Sequence, residues 1–424
     1  MLAPTPASPE SAGMSTTALN RLEAHLKSRY IDAGRFPGTQ VLIYRRGKIV
    51  HSTVQGFADL ERKVPVRDDT IFRIYSMTKP ITSVAFMMLV EEGKVALDEP
   101  VAKYIPEWKN LGVFVAGTAP AFLTRPPTRP MQIVDLLRHT SGLTYGFQQR
   151  SNVDAAYREK KIGEVIKAGT LDGMIEDLAK IPLEFSPGEA WNYSVSTDVL
   201  GYLVGKISGV PFEQFLKERI FKPLGMNDTD FFVPDDKAHR FAACYSADPQ
   251  GGFNPLAAER KGTLTLQDDP TTSSFLAPPS LISGGGGLCS TAADYLTFCR
   301  ALLNGGELGG VRLLGPKTLK LMTSNHLPGG VDLPAMSRSM FAEAAYNGIG
   351  FGLGFAVTMH PAQTLIAGSP GEFNWGGAAT TSFFIDPAEE LITIFMTQVL
   401  PSSAYPLRRE LRTMVYAAIT ESNL

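Results

Sequence analysis

Cysteine is scarce in this chain: Cys244, Cys289 and Cys299 are the only three in 424 residues, too few for a disulfide framework. Their surroundings are apolar, which predicts buried free thiols. No Cys-x-x-Cys pair and no His-Glu-x-x-His occurs, and the six histidines are scattered singly, so no zinc site is expected. An excess of one charge is also missing. The formal net charge is −2, which leaves no electrostatic footprint for nucleic acid and no basic stripe for a membrane surface. No apolar run approaches the roughly 18 residues that span a bilayer. Residues 1–6 carry neither a basic nor an apolar signal region, so the expected location is cytoplasmic, with a processed exported form left open. No internal repeat is found. Ser283–Gly287 is followed by no Gly-Lys-Ser/Thr, so it is not a phosphate loop, and its glycines suggest a tight, ligand-facing turn instead.

What is present is an ordinary globular composition, 44% hydrophobic, large enough for a substantial core. Residues 17–29 repeat apolar positions at Leu19, Leu22 and Leu26, an amphipathic helix. Runs 40–44 and 48–53 around Arg45-Arg46-Gly47 read as a hairpin, as do 380–385 and 390–397 around Asp386–Glu389. Phe351–Met359 reads as a further strand, and 407–419 as a closing helix. Helices are expected over 77–92, 131–139, 171–179, 196–207, 211–219, 291–303 and 316–323. The proline-rich stretches 119–130 and 268–279 read as long surface loops, the first of them shaping a pocket. Hairpins near both termini imply an antiparallel sheet. The expected fold is therefore α+β: residues 1–96 and 345–424 form an α/β domain with terminal helices on the sheet, and 97–344 an inserted, mainly helical domain.

Chemistry concentrates in three stretches. Ser76-Met77-Thr78-Lys79 is the only Ser-x-x-Lys in the chain. Three residues apart on a helix share a face, so the lysine amine can reach the serine hydroxyl. Serine is a weak nucleophile without a neighbouring base, and a lysine can supply one without histidine. The competing reading is a helix cap worth about 1 kcal/mol. Tyr193 follows the Pro187-Gly188 turn and is presented from a loop; its phenol is a candidate proton carrier, or simply a half-buried tyrosine. Trp375-Gly376-Gly377 precedes the strand 380–385, where backbone N–H groups could meet a carbonyl oxygen. His139, at the end of a Leu-rich helix, reads as a packing or capping residue.

These stretches, in this order, resemble the serine β-lactamase and penicillin-binding-protein superfamily. Arg73–Lys79, Leu136–Leu143, Pro187-Gly188-Glu189, Phe221–Met226 and Gly284–Tyr295 are similar to its class C branch, from about residue 10 to the end. The resemblance implies an α/β lobe with an antiparallel sheet, a helical lobe and a cleft between them. Two departures stand out. The second motif of β-lactamases is Tyr-x-Asn, where this chain has Val195 in place of the Asn. Their Lys-Thr-Gly is matched here by Trp375-Gly376-Gly377. Loss of that cation removes a charge-assisted contact to an antibiotic carboxylate worth about 1.5–3 kcal/mol. The same Trp-Gly-Gly is found in the family VIII bacterial carboxylesterases, which this chain resembles most.

Carried over on that resemblance, Ser76 is the acylated nucleophile and Lys79 with Tyr193 the proton-transfer unit. The backbone N–H groups of Ser76 and Ala378 form the oxyanion hole, while Trp375, Gly376 and Gly377 line the substrate pocket. The expected partner is a small-molecule ester, with no cofactor and no metal; the oligomeric state stays open. No Gly-x-Ser-x-Gly elbow occurs, which argues against an α/β-hydrolase. The alternatives are an acyltransferase of the same fold, a β-lactamase or D-amino-acid peptidase, and a non-catalytic binding domain that kept the fold.

Overall fold

A computed structural model describes residues 6–164, 169–247, 263–338 and 346–424. The first predicted hairpin is present: β1 (Gly38–Arg45) and β2 (Lys48–Asp59) pair antiparallel about the two-residue turn Arg46-Gly47. β3 (Val64–Pro65) extends it. The far end of the chain contributes β4 (Ile349–Phe351), β5 (Ala356–Thr358), β6 (Phe373–Gly376), β7 (Ser382–Asp386) and β8 (Leu391–Met396). The order in the eight-stranded sheet is β4-β5-β6-β7-β8-β1-β2-β3, antiparallel throughout. β1 lies beside β8, so the two ends of the sequence meet inside one sheet. The β7–β8 turn is held by Asp386, whose Oδ1 accepts the backbone N–H groups of Ala388 (3.0 Å) and Glu389 (3.2 Å), the local bonding that suits Asp to turns.

Successive strand residues face opposite ways, and the core divides accordingly. Val41, Ile43, Phe384 and Phe395 pack with Leu19, Leu22 and Leu26 of α1 (Thr16–Leu26) and with Leu407, Leu411 and Val415 of the terminal helix. Leu42, Phe383, Ile385, Ile392 and Ile394 join the other, larger cluster. That cluster includes α2 (Thr78–Glu91), α3 (Ser196–Ser208) and α4 (Ala292–Leu303). The Tyr295 ring of α4 lies 5.1 Å from that of Phe383. The closing helix is α5 (Leu407–Tyr416). Both faces of the sheet are covered, which is why β7 and β8 read as nearly unbroken apolar runs.

Two expectations change. The single strand read over Phe351–Met359 is the β4–β5 hairpin, because the chain reverses at 352–355. The first proline-rich stretch carries a strand: Val113–Thr118 pairs with Ala121–Arg125, placing Pro120 at the turn, where it removes no ladder bond. The three cysteines are buried and free. Burial pushes the Cys244 thiol up to about 11 and that of Cys289 to about 12, which makes both inert.

Candidate active site

The nucleophile candidate sits at the mouth of a deeply buried helix. From Thr78 to Leu89 every residue of α2 is buried, the pattern of a helix packed on all sides. Ser76 lies just before it, in a 3-10 turn over Tyr75–Met77, with Tyr75 held at φ +42°, uncommon backbone for a bulky residue. Neither that turn nor α2 has a side-chain cap bond, so the capping role does not hold. Instead Lys79 Nζ donates to Ser76 Oγ at 3.2 Å and to the Gly285 carbonyl at 2.6 Å. The lysine is 2% exposed. Its Nζ stands 4.5 Å from the ring centre of Tyr193 and 5.3 Å from that of Tyr145, both within cation–π range.

Tyr193 comes from the predicted loop, and that loop is pinned along its length. The N–H of Asn192 donates to the His139 carbonyl (2.9 Å), that of Val195 to Thr144 (3.2 Å), and Gln148 Nε2 to the Tyr193 carbonyl (2.8 Å). The ring lies among those of His139 (5.0 Å), Tyr145 and Trp375 (both 5.4 Å). Trp375 Nε1–H donates to the Tyr193 hydroxyl at 3.3 Å. Indole N–H is a donor only, so the phenol oxygen accepts there and its own proton is directed elsewhere. His139 is 1% exposed. Burial, and then the charge of Lys79, hold its imidazole well below the usual range, leaving it a neutral packing residue as expected.

The third stretch is placed differently from its reading as a strand entry. Trp375 and Gly376 end β6, and residues 377–381 turn the chain into β7. Gly377 is required by a close approach: a Cβ there would fall 2.4 Å from the Ile74 carbonyl oxygen and 2.2 Å from Thr381 Oγ1. Only a bare backbone passes so near the residues leading into Ser76. Ser76, Tyr193, Trp375, Gly376, Gly377 and Ala378 all border one cavity of about 560 Å³, within the range of small-molecule sites. Every site residue read from the sequence is therefore on this cavity or, for Lys79, directly behind it. No residue of 119–130 lines it, so the first proline-rich stretch does not shape this pocket.

Sequence reasoning passed over Tyr145 and Asp198. Asp198, on α3, is 2% exposed. Its Oδ1 accepts Ser283 Oγ–H at 2.5 Å and the Gly285 N–H at 3.0 Å. It thereby holds the peptide stretch whose Gly285 carbonyl receives Lys79, and the Ser283–Gly287 run is a tight turn bordering the cavity. Tyr145 also bonds to Asp198. Burial, and then the charges of Asp198 and Tyr193, push its phenol far above the usual range, so it stays neutral. A carboxylate on an amphipathic helix looks like any solvated Asp; only its position five residues after Tyr193 marked it.

The arrangement brings a hydroxyl, a buried lysine amino group, a phenol and exposed backbone at a tight turn to one wall of an aromatic-lined cavity. Such a set can take a proton from Ser76 and bind a developing oxyanion. Among the described residues no group of three or more His, Cys, Asp or Glu side chains could hold a metal ion. Among them, too, no helix is long and apolar enough to cross a membrane.

The chain is 32% identical over 396 residues to Esterase EstB of Burkholderia gladioli, covering 90% of this chain and 91% of that one. It is 37% identical over 374 residues to Protein Rv1367c of Mycobacterium tuberculosis, covering 87% and 88%. Among solved structures it superposes on EstCE1, described as a hydrolase with promiscuous acyltransferase activity, with a TM-score of 0.76 at 27% identity, covering 96% and 99%. Residues 19–417 match the family model described as Beta-lactamase. With that model spanning nearly all of the sheet, the helices and the cavity between them, the chain belongs to the Beta-lactamase family.

Proposed function

We propose that this protein is a serine carboxylesterase of the family VIII kind, cleaving short- to medium-chain carboxylic esters through an acyl-enzyme on Ser76. The observation that carries this reading is Lys79 Nζ, 3.2 Å from Ser76 Oγ and 4.5 Å over the ring of Tyr193. The ester carbonyl binds with its oxygen at the N–H groups of Ser76 and Ala378. Ser76 Oγ attacks the carbonyl carbon as its proton passes to the Lys79–Tyr193 unit, whose reacting form holds one proton fewer than ammonium plus phenol and so has a vacant site for it. The C–O bond to the alcohol breaks and the alcohol leaves with that proton. Water then repeats the sequence and releases the acid.

Trp375 favours esters over β-lactams. It puts an indole where β-lactamases carry the lysine of Lys-Thr-Gly, so an antibiotic carboxylate meets no cation at that position. Weak β-lactam turnover belongs to the same proposal. The name of EstB agrees with the esterase reading. That of EstCE1 favours a second one, in which an alcohol or amine replaces water and the protein transfers the acyl group. Competition between water and an added alcohol, read as product ratio, separates the two. For the main proposal the test is a chain-length series of nitrophenyl esters with wild type, Ser76→Ala, Lys79→Ala and Tyr193→Phe. All three variants should lose at least ~10³-fold in kcat/KM, the scale of removing a member of a catalytic unit. Retention of most activity by Ser76→Ala would end the proposal.

A further inference from the structure

We propose that Arg408 is a positioning residue for the oxyanion hole: its guanidinium fixes the Gly377–Ala378 peptide so that the Ala378 N–H faces the cavity. The inference rests on the esterase reading and adds a residue to it. Arg408 comes from α5, on the opposite side of the sheet edge from α2. A single nitrogen, Nη2, donates to the Gly377 carbonyl at 2.8 Å and to the Thr381 carbonyl at 3.1 Å. The Gly377 oxygen also accepts the Thr380 N–H at 3.1 Å, and the Gly377 N–H donates to the Thr381 carbonyl at 2.8 Å. Both lone pairs of that oxygen are thus engaged and the peptide plane has no freedom to rotate.

The 377–378 peptide is trans, since among the described residues the only cis bonds precede Pro120 and Pro401. In a trans peptide the carbonyl and the following N–H point in opposite directions. With the Gly377 carbonyl turned towards Arg408, the Ala378 N–H is turned away from it. The same peptide is pressed against the turn carrying Ser76, because a Cβ on Gly377 would fall 2.4 Å from the Ile74 carbonyl oxygen. Gly376 makes room for the cation: a Cβ there would fall 2.4 Å from Arg408 Nη2 and 2.5 Å from its Cζ. The guanidinium therefore occupies the space that a side chain at position 376 would fill. A cation beyond the carbonyl also polarises the peptide in the direction that strengthens its N–H as a donor.

Two variants disturb this contact by different routes. Arg408→Ala removes the cation; Gly376→Ala keeps it and pushes it off the peptide. Each should lower kcat for a nitrophenyl ester by ~10- to 100-fold, below the ~10²–10³-fold for outright loss of an oxyanion donor. KM should stay within about twofold, since the contact matters only as charge develops. Affinity for an alkyl boronic acid, which forms a tetrahedral adduct on serine, should fall in parallel with kcat. Added guanidinium ion should restore part of the activity of Arg408→Ala and none to Gly376→Ala. The comparison variant is Tyr416→Phe, which loosens the same helix elsewhere by removing bonds to Glu372 and Asp386, both 2.7 Å; it should lower Tm and leave kcat unchanged. Unchanged kcat in Arg408→Ala or Gly376→Ala, a loss carried by KM, or an equal kcat loss in Tyr416→Phe would overturn the inference. Mapping a serine-reactive phosphonate on wild type keeps the two levels apart. A label away from Ser76 overturns the esterase reading itself, whereas a label on Ser76 with an unaffected Arg408→Ala overturns only the role of Arg408.

Discussion

Replacing Trp375 by Phe isolates one hydrogen bond at the centre of the proposed chemistry. The indole N–H donates to the Tyr193 hydroxyl at 3.3 Å, and the ring packs 5.4 Å from both Tyr193 and Phe351. Phenylalanine keeps an aromatic surface against both neighbours and deletes only the donor and one ring. As a bond between neutral groups the contact is worth ~0.5–1.5 kcal/mol, and ~1.5–3 kcal/mol once negative charge develops on the phenol oxygen. The bond exists in the resting enzyme too, so only the difference, ~1–1.5 kcal/mol, acts on the barrier. Because each 1.4 kcal/mol is tenfold, the expected loss in kcat/KM is about 5- to 12-fold, with KM nearly constant. The assay is steady-state hydrolysis of a nitrophenyl ester by wild type, Trp375→Phe, Tyr193→Phe and the double variant. In the Tyr193→Phe background the second substitution should cost little, a coupling of ~1–1.5 kcal/mol. A wild-type rate in Trp375→Phe, or an equal loss with and without the phenol, would refute the reasoning.

Three further outcomes follow from the same geometry. Trp375→Lys should lower ester turnover while carboxylate-bearing β-lactams gain affinity, measured by competitive inhibition; no gain would undercut the account of the pocket. Asp198→Ala strands the Ser283 hydroxyl and the Gly285 N–H in a buried site, so stability should fall by ~2–4 kcal/mol in urea unfolding and kcat by at least ~10-fold as Gly285 releases Lys79. Asp294 sets a pH dependence: burial, opposed by bonds from the Asp228 N–H and Thr229, lifts its carboxyl to about 6. A raised carboxyl binds its proton more tightly folded than unfolded. Its contribution to stability therefore grows as pH falls from about 6 towards 4, by up to ~3 kcal/mol, and is lost as pH rises through 6. Asp294→Asn should flatten that segment of the stability profile; an unchanged slope would count against it.

The parts of the site read directly from sequence are those set by local spacing. Ser76 and Lys79 are one helical turn apart, so their meeting follows from helix geometry alone. Tyr193 was visible because a Pro-Gly turn delivers it from a loop. What stayed hidden depends on long-range packing. The Trp375 N–H reaches a phenol 182 positions away, and Asp198 accepts the Gly285 N–H of the 283–287 turn. Arg408 lies in a helix whose arginines look like an ordinary solvated face. The hairpins at 113–125 and 349–358 were missed because glycine and proline, which usually punctuate strands, here form their turns. The sheet was legible because its core strands carry long apolar runs with turn chemistry between them.

The most direct measurement is rapid acid quench of the enzyme with a nitrophenyl ester, followed by peptide mapping. The account predicts the acyl mass on the peptide containing Ser76, formed in a burst of nitrophenol equal to the enzyme concentration. Acyl found on another side chain, or ester turnover with no acylated peptide and no burst, would contradict it.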